Sequence, residues 1–176
     1  LGMMLMASAT DLIAIYLAIE LTVLPICALV ALLKDQKSTE AGLKYVLLSA
    51  TISAVLLFGM TLVFGITGKT QISEIAVAIS GLQLANAAAN PALMAGILLI
   101  IAGFGFKIAT VPFHMWVPDV YEGAPTPVTA YLSVASKAAG FAVIIRVFST
   151  AFGDPAWLSS NWGTIFAVLA AITMTV

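Results

Sequence analysis

LIAIYLAIELTVLPICALVALL, residues 12–33, is a run of 22 residues in which a single charged side chain, Glu20, interrupts apolar sequence. A helix rises about 1.5 Å per residue and the hydrocarbon core of a bilayer is about 30 Å thick, so about 20 apolar residues make one crossing. Working outward, residues 41–66, 91–111 and 127–148 satisfy the same criterion. Residues 1–10 read as the end of a preceding helix and residues 162–176 as the start of a further one. Whole-chain composition agrees: of 176 residues, 62% are hydrophobic and 9% charged, against about half and about a quarter in soluble domains. Mean hydropathy is +1.13. The expected fold is an all-α polytopic membrane protein, a single membrane domain with about four complete transmembrane helices and partial helices at both ends. No basic segment precedes the first apolar stretch, which argues against a signal peptide. The sequence opens at Leu1 and closes inside an apolar run, and it reads as a piece of a longer protein.

Composition also excludes several functions. Seven Lys and Arg against eight Asp and Glu offer no basic surface for a phosphate backbone, so nucleic acid is not an expected partner. One cysteine, Cys27, and one histidine, His114, cannot assemble a disulfide framework, a zinc site, an iron-sulfur cluster or a bis-histidine haem. Cofactor or metal binding is therefore not expected in this chain, and redox chemistry would belong to other subunits.

The connector at 34–39 carries Lys34 and Lys37, which points it to the cytoplasm against the weaker opposing vote of Lys69 and Arg146. Residues 67–90 are too polar to span. Ile72, Ile75, Ala76 and Ile79 give them the spacing of an amphipathic helix at the interface, so the segment is expected to be a linker on the outer face.

A charge at the centre of an inserted helix costs about 2.5–3.5 kcal/mol, whereas each Leu, Ile, Phe or Val returns about 0.3–0.6. Glu20 lies roughly 13 Å along its span, near mid-membrane. Lys137 is similarly central and sits among Ser136, Ala138, Ala139 and Gly140, small residues that let helices approach. Lys107 closes the third span and Lys44 opens the second. Two readings stand for Glu20, Lys107 and Lys137: ion pairs that fix helix packing, or a proton relay in which moving one charge changes whether its neighbour holds a proton. For Lys44 an i,i+4 pair with Glu40, or snorkelling, competes with function.

Prolines mark special geometry beside these charges. Pro25 leaves the carbonyl of Leu21 without its helical donor, either a packing kink or a polar spot near Glu20. Pro112 and Pro118 bracket His114, so the third span is expected to break near Pro112, with residues 112–126 forming a break and loop. His114 suits proton transfer, although a loop carbonyl would equally satisfy it. Pro118 to Pro127 reads as a reentrant turn or surface loop, with Asp119 and Glu122 either feeding protons or simply solvated, and Trp116 and Tyr121 suit an interfacial belt.

The stretch GFKIATVPFHMWVPDVYEGAPTPVTA, residues 105–130, resembles the core of the antiporter-like, proton-pumping membrane subunits of respiratory complex I. Its continuation LSVASKAAGFA, residues 132–142, is similar to one of the sister subunits of that family rather than the others. The resemblance implies most of one antiporter-like five-helix repeat, with the second repeat absent, in an energy-transducing membrane: a bacterial plasma membrane, or an organelle inner or thylakoid membrane. It implies that Glu20 and Lys107 form the family's ion pair, that Lys137 is the lysine of its central hydrophilic axis, and that Lys44 is a further family lysine. The expected function is proton translocation in an NADH:quinone oxidoreductase, with NADH, flavin, iron-sulfur clusters and quinone in partner subunits. Other membrane and peripheral subunits, the lipid bilayer, protons and water are the expected partners. Alternatives are a related subunit of a cation/proton antiporter or membrane-bound hydrogenase, and a stand-alone secondary transporter, for which the spans offer few amide or hydroxyl clusters.

Overall fold

In the computed structural model, residues 1–81, 90–153 and 156–175 are described, and the elements among them are helical. Helix α1 covers Gly2–Ser8, α2 Leu12–Val30, α3 Gln36–Thr67 and α4 Ile72–Gly81. They are followed by α5 at Pro91–Ile108, the short α6 at Trp116–Gly123, α7 at Thr126–Thr150 and α8 at Ala156–Thr175. Four of these, α2, α3, α5 and α7, are long and apolar enough to cross a bilayer. The protein is an integral membrane protein.

Local chemistry sets the helix ends. Asp11 caps α2 by accepting from the amides of Ile13 at 2.8 Å and Ala14 at 3.3 Å. Asp35 accepts from the Ser38 amide at 2.7 Å, which starts α3 at Gln36, ahead of the apolar run expected from residue 41. Gly68 ends α3 in the left-handed region at φ +65°, its amide bonded to the Phe64 carbonyl at 2.7 Å. Pro91 occupies the first turn of α5 behind the Asn90 cap.

The largest seam joins α3 to α5, and it is built on glycine. A Cβ on Gly59 would stand 2.8 Å from the Gly96 carbonyl oxygen, and one on Gly96 would stand 3.0 Å from the Gly59 oxygen, so backbone meets backbone. Helix α3 also packs on α2. Helices α1 and α7 meet where Arg146 donates to the Ala7 carbonyl at the end of α1.

Helix α4 has the amphipathic spacing expected from the sequence. Ile72, Ile75 and Ile79 are buried against the protein, with contacts to α7 and α3, so its apolar stripe packs inward. The rest of that linker, residues 82–89, lies outside the described residues. The start of α4 is tied to the start of α2: Leu12 donates to the Thr70 carbonyl at 2.9 Å, Ile72 to the Thr10 carbonyl at 3.0 Å, and the Thr70 hydroxyl to Asp11 at 2.5 Å. That hydroxyl bond, aided by the two amides and opposed by partial burial, holds the Asp11 carboxyl below its ordinary value.

Candidate functional site

The site is organised by the end of α5. Ala109 takes a left-handed conformation at φ +60°, and its amide bonds to the Phe106 carbonyl at 3.1 Å while the Thr110 amide reaches the Gly105 carbonyl at 2.9 Å. The helix therefore stops at Ile108, before Pro112, whose peptide bond with Val111 is cis. The chain resumes as helix in α6. Pro118 is tolerated there because it falls in the first turn, where amides have no partner within the helix.

The expected surface loop is thus partly helical, and of the two aromatics expected at the interface Trp116 is interior while Tyr121 is partly buried. Trp116 is 3% exposed, donates its indole N–H to the Phe106 carbonyl at 3.2 Å, and packs on Tyr45 and Phe106 with ring centroids 5.0 and 5.4 Å away. The reason is steric: a Cβ on Gly123 would lie 2.5 Å from the Ala41 Cβ and 2.8 Å from the Lys37 carbonyl oxygen, so only glycine lets α6 close onto α3.

Lys107 lies in the last turn of α5 and is 6% exposed. Its ammonium has no hydrogen-bond partner among the described residues. The nearby last-turn carbonyls of Gly105 and Phe106 are already bonded to Thr110, Ala109 and Trp116. The stem of Lys107 borders α7, since a Cβ on Gly140 would meet its Cγ at 3.4 Å. Gly140 is three residues, about one turn, beyond Lys137.

Glu20, on α2, accepts a hydrogen bond from the Ser53 hydroxyl of α3. No ion pair within 4.0 Å joins it to Lys107 among the described residues, so the direct pair implied by the resemblance is open here. The carboxylate is instead engaged by a hydroxyl of α3.

Lys137 follows a π-helical turn at Leu132–Ser136, and its ammonium stands 5.6 Å from the centroid of the Tyr121 ring. Lys44 lies between Glu40 at 2.8 Å and Asp119 at 2.9 Å, while Lys37 meets Glu122 at 2.9 Å. These five groups line a cavity of about 160 Å³ at the junction of α3 and α6. Asp119 and Glu122 are therefore paired to lysines of α3 while their side chains stay 51% and 72% exposed. The Nδ1 of His114 and the hydroxyl of Tyr121 are buried with no partner among the described residues, so no loop carbonyl satisfies that histidine nitrogen.

Comparison with known proteins places the assembly of charges in context. Residues 9–176 match the family described as NADH:quinone oxidoreductase/Mrp antiporter, transmembrane. The chain belongs to that family. It is 51% identical over 176 residues to NADH-quinone oxidoreductase subunit N of Dehalococcoides mccartyi, covering 99% of this chain and 36% of the relative. Respiratory complex I from Thermus thermophilus contains a chain that superposes with a TM-score of 0.72 at 38% identity, over 83% of this chain and 31% of that one. A chain of an archaeal membrane-bound sulfane sulfur reductase superposes with a TM-score of 0.79 at 30% identity, over 94% of this chain and 33% of that one. The chain thus spans about a third of the length of the relatives it matches.

Within this antiporter-family fold, three functional candidates carry little sequence signal. Ser53 is one hydroxyl among several on α3, and only the packing of α2 on α3 brings it to Glu20. Asp119 meets Lys44 across 75 positions of sequence, and Tyr121 meets Lys137 only because α6 folds back. Gly123 at the end of α6 is the one local clue, a small residue placed where a helix must approach another closely.

Proposed function

We propose that this chain belongs to the proton-translocating membrane part of an NADH:quinone oxidoreductase, with Glu20, Lys107, Lys137 and Lys44 as the groups that move protons. The observation that carries this reading is Lys107, a buried ammonium beside a helix break with no counter-ion in contact. The protonation of such a group responds to any charge that moves nearby, which makes it a receiver for electrostatic signals. Glu20, held by Ser53 of α3, is the candidate sender. When its carboxylate swings from the hydroxyl toward α5, the amine is favoured in its charged form; when it returns, the proton is free to pass to Lys137 beyond Gly140. Lys44, between two carboxylates at the mouth of the α3 and α6 cavity, would exchange protons with water on the cytoplasmic side. His114 is a secondary candidate through its unpartnered, buried Nδ1.

Redox chemistry is assigned to partner subunits holding NADH, flavin, iron-sulfur clusters and quinone, since one cysteine and one histidine supply no cluster or haem ligand set here. The likeness to an archaeal sulfane sulfur reductase marks the principal competing reading, the same membrane machine coupled to a different electron path. Identity of 51% to subunit N relatives favours the quinone-reducing complex.

The test is NADH-driven acidification of membrane vesicles, normalised to quinone reduction, with the full-length gene carrying Lys107→Met beside the parent. Assembly persisting while pumping and coupled reduction fall together supports the reading. Unchanged pumping at full assembly means the charges are structural.

A further inference from the structure

Every lysine near the break except Lys107 is held by a residue of one short helix. Asp119 holds Lys44, Glu122 holds Lys37, and the ring of Tyr121 faces Lys137. The first two contacts and the glycine-tight seat of Gly123 fasten α6 to α3. The third reaches the other way, to α7. Tyr121 also stacks edge-on against Trp116, with centroids 6.1 Å apart at 81°. Trp116 in turn is fixed by its bond to the Phe106 carbonyl. The ring of Tyr121 is thereby packed against a fixed indole while an ammonium stands over its face.

We propose that Tyr121 is a positioning residue for proton transfer at Lys137, its ring face holding the ammonium in place and its seat on α6 fixing where that ammonium stands. This rests on Lys137 being a proton carrier. The chemistry is that of a cation over an aromatic quadrupole: 5.6 Å to the centroid is inside the range of about 6 Å over which that attraction operates. In a segment where a carboxylate partner for Lys137 is missing from the ion pairs of the described residues, the ring retains the charge without capturing its proton. A neutral ring has no basic site to compete for it. The Tyr121 hydroxyl, buried and without a partner among the described residues, is dispensable in this arrangement, because the face of the ring and not its edge meets the amine.

The experiment uses the full-length protein in the assembled complex, with Tyr121 replaced by Phe and by mono-, di- and trifluorophenylalanine through nonsense suppression, and by Leu. Fluorine withdraws π density at nearly constant volume, so a merely space-filling role is blind to the series. NADH-driven proton uptake per quinone reduced should be close to parental for Tyr121→Phe. It should then fall stepwise with each fluorine, about two- to fivefold across the series, toward the Leu level. A flat fluorine series overturns the proposal, as does a Phe variant already as low as Leu. A Lys137→Gln variant in the same membranes separates the two levels. If it pumps like the parent, the underlying assignment of Lys137 fails and the inference with it. If it is deficient while the fluorine series is flat, the inference alone fails.

Discussion

Two carboxylates in this chain show how differently the same side chain is used. Glu20 lies within a span and accepts from one hydroxyl, free to change partner, whereas Asp11 is locked at the start of α2 by two amides and the Thr70 hydroxyl. Asp11 is partly exposed and its charge is screened by water, so its value lies in the cap and the joint to α4 more than in a strong field. Its carboxyl is held below the ordinary value of about 3.9. A depressed folded value means the contribution is complete above the unfolded value and disappears as pH falls through the folded one. Asp11→Ala should therefore cost about 1 kcal/mol at neutral pH. The gap in thermal midpoint between parent and variant, read by tryptophan fluorescence of the full-length protein in detergent, should hold steady through pH 7 to 5 and close below about pH 4. A gap that persists unchanged at the acid end would mean that Asp11 acts by shape alone.

At the level of elements, length and hydropathy make the spanning helices visible because the bilayer demands a fixed run of apolar residues. The break near Pro112 is visible too, since proline removes a donor. Less visible is where α5 actually ends. Ala109 stops it in a left-handed conformation that alanine seldom adopts, and nothing local in the sequence announces that. Helix α6 is equally obscure, because its prolines and carboxylates read as loop until the aromatic packing of Trp116 is known. Glycine roles are the third case, for the sequence shows a glycine without showing its neighbour. Helix α3 carries both kinds. A Cβ on Gly59 would press on the Gly96 carbonyl oxygen at 2.8 Å, while one on Gly65 would meet nothing within 4 Å. Gly59→Ala should thus destabilise the α3 and α5 seam by about 1–3 kcal/mol through overpacking. Gly65→Ala should be neutral or stabilising by up to about 1 kcal/mol, because alanine is the better helix former. Thermal midpoints of the two variants in detergent check this, and equal shifts would sink the account of the crossing.

Across the whole molecule, no single helix holds the ionisable groups: Glu20 is on α2, Lys44 on α3, Lys107 on α5 and Lys137 on α7. Sequence exposes Glu20, Lys107 and Lys137 as charges that lipid would reject and leaves Lys44 open to snorkelling, yet their neighbours in space come only from packing, with Ser53 of α3 on Glu20 and Gly140 beside the Lys107 stem. Such an arrangement has two limits. If the groups are independent structural charges, removing two should combine as the product of the single effects, as for distant sites without shared partners. If they hand one proton along one route, the first removal already stops transfer and the second adds nothing, as when members of a catalytic unit are deleted together. The relay reading predicts that a Lys107→Met, Lys137→Gln double variant pumps as poorly as the worse single variant and no worse, measured as protons moved per quinone reduced at matched assembly. The packing reading predicts assembly losses that multiply while protons per quinone in the surviving complexes stay parental. The two outcomes differ in which quantity changes, so one set of vesicles distinguishes them.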